Sequence, residues 1–264
     1  MNFWKSLLKL KKNRRSIITH LKSDYFHEFE HCIPLQNGYE AYLLEYDSYD
    51  SFSEIFIQRE YEQFIPDTNI RKILDIGANY GYFSLWLQSR KPENEIYSIM
   101  IEPSPRCQRS LDRIVSFKKL NDRFKLLHRV IANPNLGGID FYDRPFMASS
   151  VFGSTKGENS SQVKVLTQSD ITKLLPPPFD LIKCDIEGSE WDLLIHYPNI
   201  LMQTKYLVLE WHDWHNGGGG LSQLVSKLGK LKYNVIKIAK PSNAVGREGK
   251  VGLILAKNLN FPIK

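Results

Sequence analysis

The segment Arg71–Leu87 reads RKILDIGANYGYFSLWL, and it decides the fold that we predict for this chain. An apolar run ends at Asp75 and is followed at once by a turn that carries Gly77 and Gly81. A helical pattern of apolar side chains comes after the turn. A strand, a glycine turn and a helix in this order bring backbone N–H groups to a ligand at the helix N-terminus. The G-x-G-x-x-G spacing of dinucleotide-binding proteins is absent, because the two glycines lie four residues apart.

The rest of the chain alternates between strand and helix patterns, which predicts an α/β protein with a mostly parallel sheet and helices on both faces. Two late strand patterns are joined by a turn-rich link without helical periodicity, and this favours an antiparallel pair at one edge of the sheet. The predicted core strands after Arg71–Leu87 cover residues 95–101, 124–131, 179–185, 206–211, 233–238 and 251–256, and shorter strands are predicted at 139–142 and 162–166.

The basic character of the chain belongs to its N-terminal segment. The net charge is +6, and residues 1–23 contain seven Lys or Arg and no acid, so the remainder is close to neutral. Aromatic and leucine side chains flank these cations, so the segment can rest on an anionic membrane surface. A basic helix packed on the domain, or a partly disordered tail, is the simpler alternative. Such a local cluster does not favour nucleic acid as a partner.

Residues 24–69 are predicted to form a lead-in to the ligand-binding domain, which covers residues 70–264. Aromatic and aliphatic residues at 39–44 indicate a strand. The pattern Ser51-x-x-Glu54 is that of a capping box, and it predicts a helix that carries apolar side chains as far as Phe64. The lead-in is therefore expected to contain one strand and one helix.

Cysteine usage and hydropathy indicate the compartment in which the protein works. Cys32, Cys107 and Cys184 are odd in number and far apart, so neither a disulfide framework nor a four-cysteine zinc site is expected. No run of about 18 apolar residues is present, and the N-terminus lacks the apolar core of a secretory signal. We therefore predict a cytoplasmic protein, with peripheral contact of residues 1–22 with the inner membrane surface as an alternative.

Acidic or polar residues stand where the predicted core strands end. In an open α/β sheet, ligands bind beyond the carboxyl ends of the strands. Glu102 ends the strand that follows the glycine turn, and a carboxylate there can accept hydrogen bonds from both hydroxyls of a ribose. The turn together with Glu102 predicts a nucleoside-bearing ligand, with Asp75 and Ser84 near its charged amino-acid portion. The strand-end residues are Asp75, Glu102, Asn133, Asp185 and Glu210.

Four blocks of the chain, DIGANYGYFSL, EPSP, DLIKCDIEGSEWDLL and LVLEWH, together resemble the FkbM-type family of S-adenosylmethionine (SAM) dependent methyltransferases. The resemblance covers roughly residues 70–212. It implies a Rossmann-like class I methyltransferase fold whose seven strands have the order 3-2-1-4-5-7-6, with strand 7 antiparallel. It also implies SAM as methyl donor and a hydroxyl acceptor on a glycan, polyketide or similar metabolite. We therefore expect O-methylation of a small-molecule or saccharide acceptor.

The resemblance also implies which residues hold the cofactor. Asp75, Gly77, Asn79 and Gly81 would line the methionine end of SAM, and Glu102 would hold the ribose. The full predicted cofactor-binding set is Asp75, Gly77, Ala78, Asn79, Tyr80, Gly81, Ser84, Glu102, Pro103, Ser104, Ala132, Asn133 and Asp185.

Asp185 and His212 are the predicted catalytic residues. Asp185 closes an apolar strand, so its carboxylate is expected in the cleft near the transferred methyl group. His212 follows another strand and would accept the proton of the acceptor hydroxyl, because histidine titrates near neutral pH. A divalent metal held by Asp185 and Glu210 with His212 or Asp213 is an alternative that we do not predict, because these residues lack a tight ligand spacing. Alternatively, His212 is simply a polar strand end.

Two features of the chain leave other readings open. Lys183 lies in an apolar strand, where it either pairs with a cleft carboxylate or extends its aliphatic stem to an edge. The basic tail leaves open an RNA-directed methyltransferase, or a non-catalytic SAM-binding or membrane-docked module. A nicotinamide-dependent oxidoreductase is disfavoured by the missing third glycine.

Overall fold

The structure of this protein is a computed structural model that describes residues 31–143, 160–213, 220–243 and 249–261. The predicted basic segment, residues 1–23, lies outside the described residues. The strands are β1 (His31–Pro34), β2 (Glu40–Leu43), β3 (Lys72–Ile76), β4 (Tyr97–Ile101), β5 (Phe124–Leu127), β6 (Gly138–Tyr142), β7 (Ser160–Lys164), β8 (Phe179–Cys184), β9 (Thr204–His212), β10 (Tyr233–Ile238), β11 (Ser242–Asn243) and β12 (Lys250–Asn258).

The helices are short, and several begin or end in tighter or wider turns. The α-helices are α1 (Ser48–Phe52), α2 (Tyr82–Arg90), α3 (Gln108–Ser116), α4 (Gln168–Leu174), α5 (Glu190–His196), α6 (Pro198–Met202) and α7 (Leu221–Lys230). A π-helical segment, Ser53–Gln58, continues α1. Short 3₁₀ turns lie at Gln36–Gly38, Glu62–Phe64, Pro105–Cys107 and Pro134–Leu136. Within the described ranges, none of these helices is long and apolar enough to cross a membrane.

The main sheet has eight strands in the order β10-β12-β9-β8-β3-β4-β5, with the two-residue β11 beside β12. Read from β5 to β10, and with β11 and the two separate hairpins set aside, the strands follow the predicted order 3-2-1-4-5-7-6. In this order β12 is strand 7 and β10 is strand 6. Strands β5, β4, β3, β8 and β9 run parallel. The predicted Rossmann-like fold is therefore confirmed, and the short β11 is the strand that the sequence pattern missed.

The antiparallel strands lie where the prediction places them. β12 and β10 form an antiparallel pair at one edge of the sheet, with β12 between β9 and β10 and antiparallel to both. The reason lies in burial. The middle of β12, residues 253–256, is buried on both faces, whereas Ile236 and Ile238 of β10 are exposed. A strand that is apolar on both faces is most stable between two neighbours.

Helices and buried side chains cover both faces of the sheet. On one face, α2 and α3 pack with Ile73 and Leu181 of the sheet. On the other face, the helices α4 to α7 pack with Leu74 and Ile182. Adjacent residues of β3 and β8 thus point to opposite faces, as the period of two in a strand requires.

The described part of the lead-in belongs to the first of these two hydrophobic clusters. Strands β1 and β2 form an antiparallel hairpin. Tyr49, Phe52, Tyr61 and Phe64 are buried in the same cluster as α2. The lead-in therefore closes the core on that face.

Two boundaries predicted from the sequence are wrong. The helix expected at the Ser51 capping box begins three residues earlier, at Ser48, and places Ser51 inside α1. Burial of Tyr49 and Phe52 favours this earlier start. The helical segment ends at Gln58, and Phe64 lies in a separate 3₁₀ turn. The strand expected over 124–131 ends at Leu127, because the chain leaves the sheet there to pair with the β6–β7 hairpin at Val130.

The glycine turn brings the ends of β3 and β8 into close contact. Gly77 has a positive φ of 72°, and a Cβ at this position would lie 1.7 Å from the carbonyl oxygen of Asp185. The Asp185 N–H donates to the carbonyl oxygen of Ile76 at 3.1 Å. Only glycine permits both this backbone conformation and this approach.

Gly77→Ala is expected to destabilise the fold by about 3 kcal/mol or more, because it adds a steric overlap to the cost of a positive φ. Gly137 is the matched control, since it has a φ of 70° but nothing within 4 Å of its Cβ position. Gly137→Ala should cost only about 1 to 2 kcal/mol. Urea unfolding of both variants measures the difference, and equal losses would contradict the close approach.

Candidate active site

The carboxylate of Glu102 lies beside the glycine turn, as predicted. Glu102 follows β4 and is 7% exposed. Its Oε2 accepts a hydrogen bond from the Asn79 N–H at 2.8 Å, and its Oε1 accepts one from the Ser104 N–H at 2.8 Å. Burial raises the pKa of Glu102 to about 7, although both backbone hydrogen bonds lower it. The carboxylate is thus held in one orientation and titrates near neutral pH.

The side chains of Asp75 and Ser84 lie in the core beside the glycine turn. Both side chains are fully buried. The Ser84 Oγ donates to Asp75 Oδ2 at 2.6 Å and lies 2.9 Å from the Oγ of Ser98. The contact of Asp75 and Ser84 with a charged part of the ligand stays a prediction, because their described partners are other side chains of the core. Their strand and helix positions point inward, toward the junction that they stabilise.

Lys183 connects the two sides of the site. Its Nζ donates to the carbonyl oxygen of Gly77 at 2.6 Å, and it lies 3.9 Å from Asp75 Oδ1 and 3.6 Å from Asp185 Oδ2. Burial lowers the pKa of Lys183, but the carboxylates of Asp185 and Asp75 outweigh it and raise the pKa above its usual value. Of the two alternatives from the sequence, the ion pair is confirmed, because the side chain is only 5% exposed.

Only part of the predicted cofactor-binding set is accessible. Tyr80 is buried and stacks on Tyr82 in the core. The Ser104 Oγ donates to Asp143. The predicted residues that are partly exposed are Gly77, Asn79, Pro103, Asn133 and Asp185. The buried ones are Asp75, Ala78, Tyr80, Gly81, Ser84, Glu102, Ser104 and Ala132.

Tyr61, from the lead-in, joins two carboxylates at the other side of the turn. Its hydroxyl oxygen lies 3.2 Å from Asp185 Oδ2 and 3.1 Å from Glu210 Oε2. A phenol has one hydrogen to donate, so it serves one of these acceptors at a time. Burial and the Asp185 carboxylate raise the pKa of Glu210 to about 8. Sequence patterns do not predict this contact, because Tyr61 and Asp185 are 124 residues apart.

His212 lies at the end of β9, where the sequence placed it, but in a different chemical state from the one expected. Its Nδ1 lies 2.9 Å from Glu190 Oε1, and its Nε2 lies 4.0 Å from Glu187 Oε2. Burial lowers the pKa of His212, but the carboxylates of Glu190 and Glu187 raise it to about 10. A raised pKa disfavours the neutral ring that a general base needs. The role of His212 as general base stays a prediction.

The acidic residues predicted as alternative metal ligands do not all come together. Glu210 contacts Tyr61, and Asp213 Oδ1 accepts a hydrogen bond from the Lys250 N–H at 2.6 Å. The group that does come together is Asp185, Glu187 and His212, with one potential ligand atom of each within 4.8 Å of the others. Glu187 was missed because its position suggested the start of a helix, whereas it lies in a turn with a positive φ of 53°.

The family of the chain follows from its sequence together with this site. The model of the FkbM methyltransferase domain matches residues 75–235, more than half of the chain. The chain belongs to the FkbM methyltransferase family. The matched range includes the glycine turn, Glu102, Asp185 and His212. This family and the fold make the protein a methyltransferase, and they imply SAM as its donor.

Several solved structures are similar to this FkbM chain in fold. An FkbM methyltransferase of Methylobacillus flagellatus KT is 16% identical, with a TM-score of 0.49 over 79% of this chain and 50% of that one. A precorrin-6y C5,15-methyltransferase of Geobacter metallireducens GS-15 is 13% identical, with a TM-score of 0.43 over 76% and 85%. TrmK of M. capricolum, in complex with S-adenosyl-homocysteine, is 11% identical, with a TM-score of 0.42 over 77% and 68%. No curated protein sequence is significantly similar.

Lys183→Met should destabilise the protein by about 3 kcal/mol at pH 7, because it leaves the buried Asp75 carboxylate without its cation. Lys205→Met is the matched control. Lys205 lies 2.7 Å from Asp180, but its side chain is 40% exposed, so we expect a loss of about 1 kcal/mol or less. Chemical denaturation measures both, and a loss for Lys183→Met no larger than that of the control would contradict the role given to Lys183.

Proposed function

We propose that this methyltransferase transfers the methyl group of SAM to a hydroxyl oxygen of a small-molecule or saccharide acceptor. The observation that carries the proposal is the buried Glu102 carboxylate, which two backbone N–H groups hold beside the glycine turn. A carboxylate at this point of the fold suits the paired hydroxyls of a ribose. Methyl transfer to a hydroxyl also needs a group that accepts a proton, and the partly exposed Asp185 supplies one at the neighbouring strand end.

The residues present fit SAM by the chemistry of their side chains. SAM carries positive charge on its sulfonium, and the cleft offers the carboxylates of Asp185 and Glu102. Glu102 would hold the ribose, while Gly77 and Asn79 would border the methionine portion. Pro103 and Asn133, partly exposed after neighbouring strands, would flank the nucleoside.

Asp185 is the residue that we assign to the acceptor. When bound, SAM supplies an electrophilic methyl group, so the protein has to position the acceptor oxygen and remove one proton. The Asp185 side chain is 28% exposed, and both Lys183 and Tyr61 contact its Oδ2. Its Oδ1 is then the oxygen that can orient the acceptor hydroxyl and accept its proton. His212, whose Nδ1 lies 2.9 Å from Glu190, helps to hold the turn before α5.

The charge of the site favours a neutral acceptor over RNA. The carboxylates of Asp185 and Glu187 stand together after β8, beside the end of β9. An acidic cleft repels phosphate groups, whereas carboxylates accept hydrogen bonds from the hydroxyls of a sugar or metabolite. This argument supports O-methylation of an uncharged molecule.

Glu102→Gln should weaken SAM binding at least tenfold, because it removes charge-assisted hydrogen bonds of about 1.5 to 3 kcal/mol. Glu95→Gln is the matched control, since Glu95 is exposed and precedes the opposite end of β4. Calorimetry with SAM measures both variants. Equal affinity of Glu102→Gln and wild type would remove Glu102 from the ribose.

The same measurement has a pH dependence with a defined sign. The pKa of Glu102 is raised to about 7, so the carboxylate is mostly protonated at pH 6 and mostly ionised at pH 8. SAM affinity of the wild type should therefore rise about five- to tenfold from pH 6 to pH 8. The rise should be absent in Glu102→Gln. Any pH dependence that remains in this variant comes from other groups, such as the ionisable groups of SAM.

Methyl transfer itself is tested with isotopically labelled SAM and two acceptor pools, a small-molecule and saccharide extract and total RNA. We expect label in the first pool as a base-stable methyl ether. Asp185→Asn should lower this rate about 100-fold or more, as loss of a proton acceptor does. Asp213→Asn is the control at the neighbouring strand end. Label in RNA alone would overturn the assignment of the acceptor.

A further inference from the structure

Three residues from separate elements converge at one side of the cleft. Asp185 follows β8, Glu187 lies in the turn before α5, and His212 ends β9. One potential ligand atom of each lies within 4.8 Å of the others. The two carboxylate side chains are 28% and 25% exposed, whereas the side chain of His212 is 3% exposed. The group thus has a rigid, buried histidine and two carboxylates that face solvent.

The orientation of His212 is a second observation that points to a metal ion. Glu190 is buried, and its Oε1 lies 2.9 Å from the Nδ1 of His212. The same oxygen accepts hydrogen bonds from the N–H groups of Ile186 at 3.2 Å and Gly188 at 3.1 Å, so Glu190 cannot rotate freely. The opposite nitrogen, Nε2, then faces Glu187. A carboxylate that holds one ring nitrogen while the other faces the ion is the usual arrangement behind a metal-ligating histidine.

The charges around this group also call for a cation. Asp185, Glu187 and Glu190 are three carboxylates within the reach of one histidine. Among the described residues, the Oε2 of Glu190 is buried without a hydrogen-bond partner. Lys183 is shared between Asp185, Asp75 and the Gly77 carbonyl. A buried carboxylate needs compensating positive charge, which either a second proton on the His212 ring or an ion on its Nε2 supplies.

We propose that Asp185, Glu187 and His212 bind a divalent cation of the Mn²⁺ or Zn²⁺ type. Two carboxylate oxygens and one imidazole nitrogen are the donor set that these ions accept, and Mg²⁺ or Ca²⁺ favour oxygen alone. Three protein ligands leave coordination positions open toward the cleft. Glu190 is a positioning residue, because it acts through the His212 ring.

The geometry requires a closure of about 1 to 1.5 Å. Ligand atoms about 2.0 to 2.2 Å from an ion in a tetrahedral site lie about 3.3 to 3.6 Å apart, while those of the three residues lie within 4.8 Å. Asp185 and Glu187 are partly exposed and can rotate toward the fixed ring. The ion would take the place of the second ring proton, which leaves to solvent.

The role of the ion rests on the proposed function. Open coordination positions beside Asp185 would bind oxygen atoms of the acceptor and lower the pKa of its hydroxyl. The binding site itself does not depend on methyl transfer, because it is defined by the three side chains. The rival arrangement is an ion pair only, in which His212 keeps both protons between Glu187 and Glu190.

The test measures ion binding to the full chain in the absence of SAM. Mn²⁺ is followed by the loss of its free electron paramagnetic resonance signal, and Zn²⁺ by competition with a chromophoric chelator. We expect one ion per chain, with the dissociation constant raised at least tenfold in Glu187→Gln and in Asp185→Asn. Asp192→Asn is the matched control, because Asp192 is equally exposed at 25% and pairs with His196 instead. It should bind within twofold of the wild type.

Two results would overturn the metal site. One is that neither Mn²⁺ nor Zn²⁺ binds stoichiometrically to the folded wild type, as the ion-pair arrangement predicts. The other is binding that Glu187→Gln and Asp185→Asn leave unchanged while circular dichroism shows them folded. Neither result depends on methyl transfer, so an inactive protein that binds one ion at this site would refute the proposed function and leave the metal site standing.

Discussion

The contact between the turn after β3 and the end of β8 is the constraint on which the rest of the site depends. Gly77 lies against the backbone of Asp185. The buried ammonium of Lys183 donates a hydrogen bond to the Gly77 carbonyl and lies between the carboxylates of Asp75 and Asp185. Polar groups without water are stable only when each has a partner. The Lys183 contacts therefore stabilise a charged side chain inside β8 and fix the position of the glycine turn relative to the sheet.

This contact separates two environments that differ in charge. On the β4 side, Glu102 is a single buried carboxylate whose partners are backbone N–H groups. On the β9 side, Asp185 stands with Glu187, Glu210 and the imidazolium of His212. In the proposed reaction, a methyl donor with positive charge and an acceptor that loses a proton need different surroundings. The division of the cleft at the end of β8 would provide both within one site.

Several site residues have surroundings that the sequence patterns do not predict, and the reason is the same for all of them. His212 was expected to be a base because an isolated histidine titrates near neutral pH, but three carboxylates from other elements surround it. Glu187 looked like an ordinary acidic residue at a helix start, and Tyr61 like an apolar position of the lead-in helix. Asp75 and Ser84 stood at the right strand and helix positions, yet they face the core. A linear pattern predicts the face of an element but not what packs against it.

The sequence by itself determined the order of the sheet, the glycine turn and the placement of Glu102, Asp185 and His212 at strand ends. These follow from local periodicity, from the positive φ that glycine allows, and from motifs shared with the family. Only the tertiary structure decided that Lys183 is an ion-pair residue, that Tyr61 contacts Asp185 and Glu210, and that carboxylates surround His212. Those outcomes depend on burial and on charges far apart in the chain, because electrostatic energies are set by distance in space and by the exclusion of water.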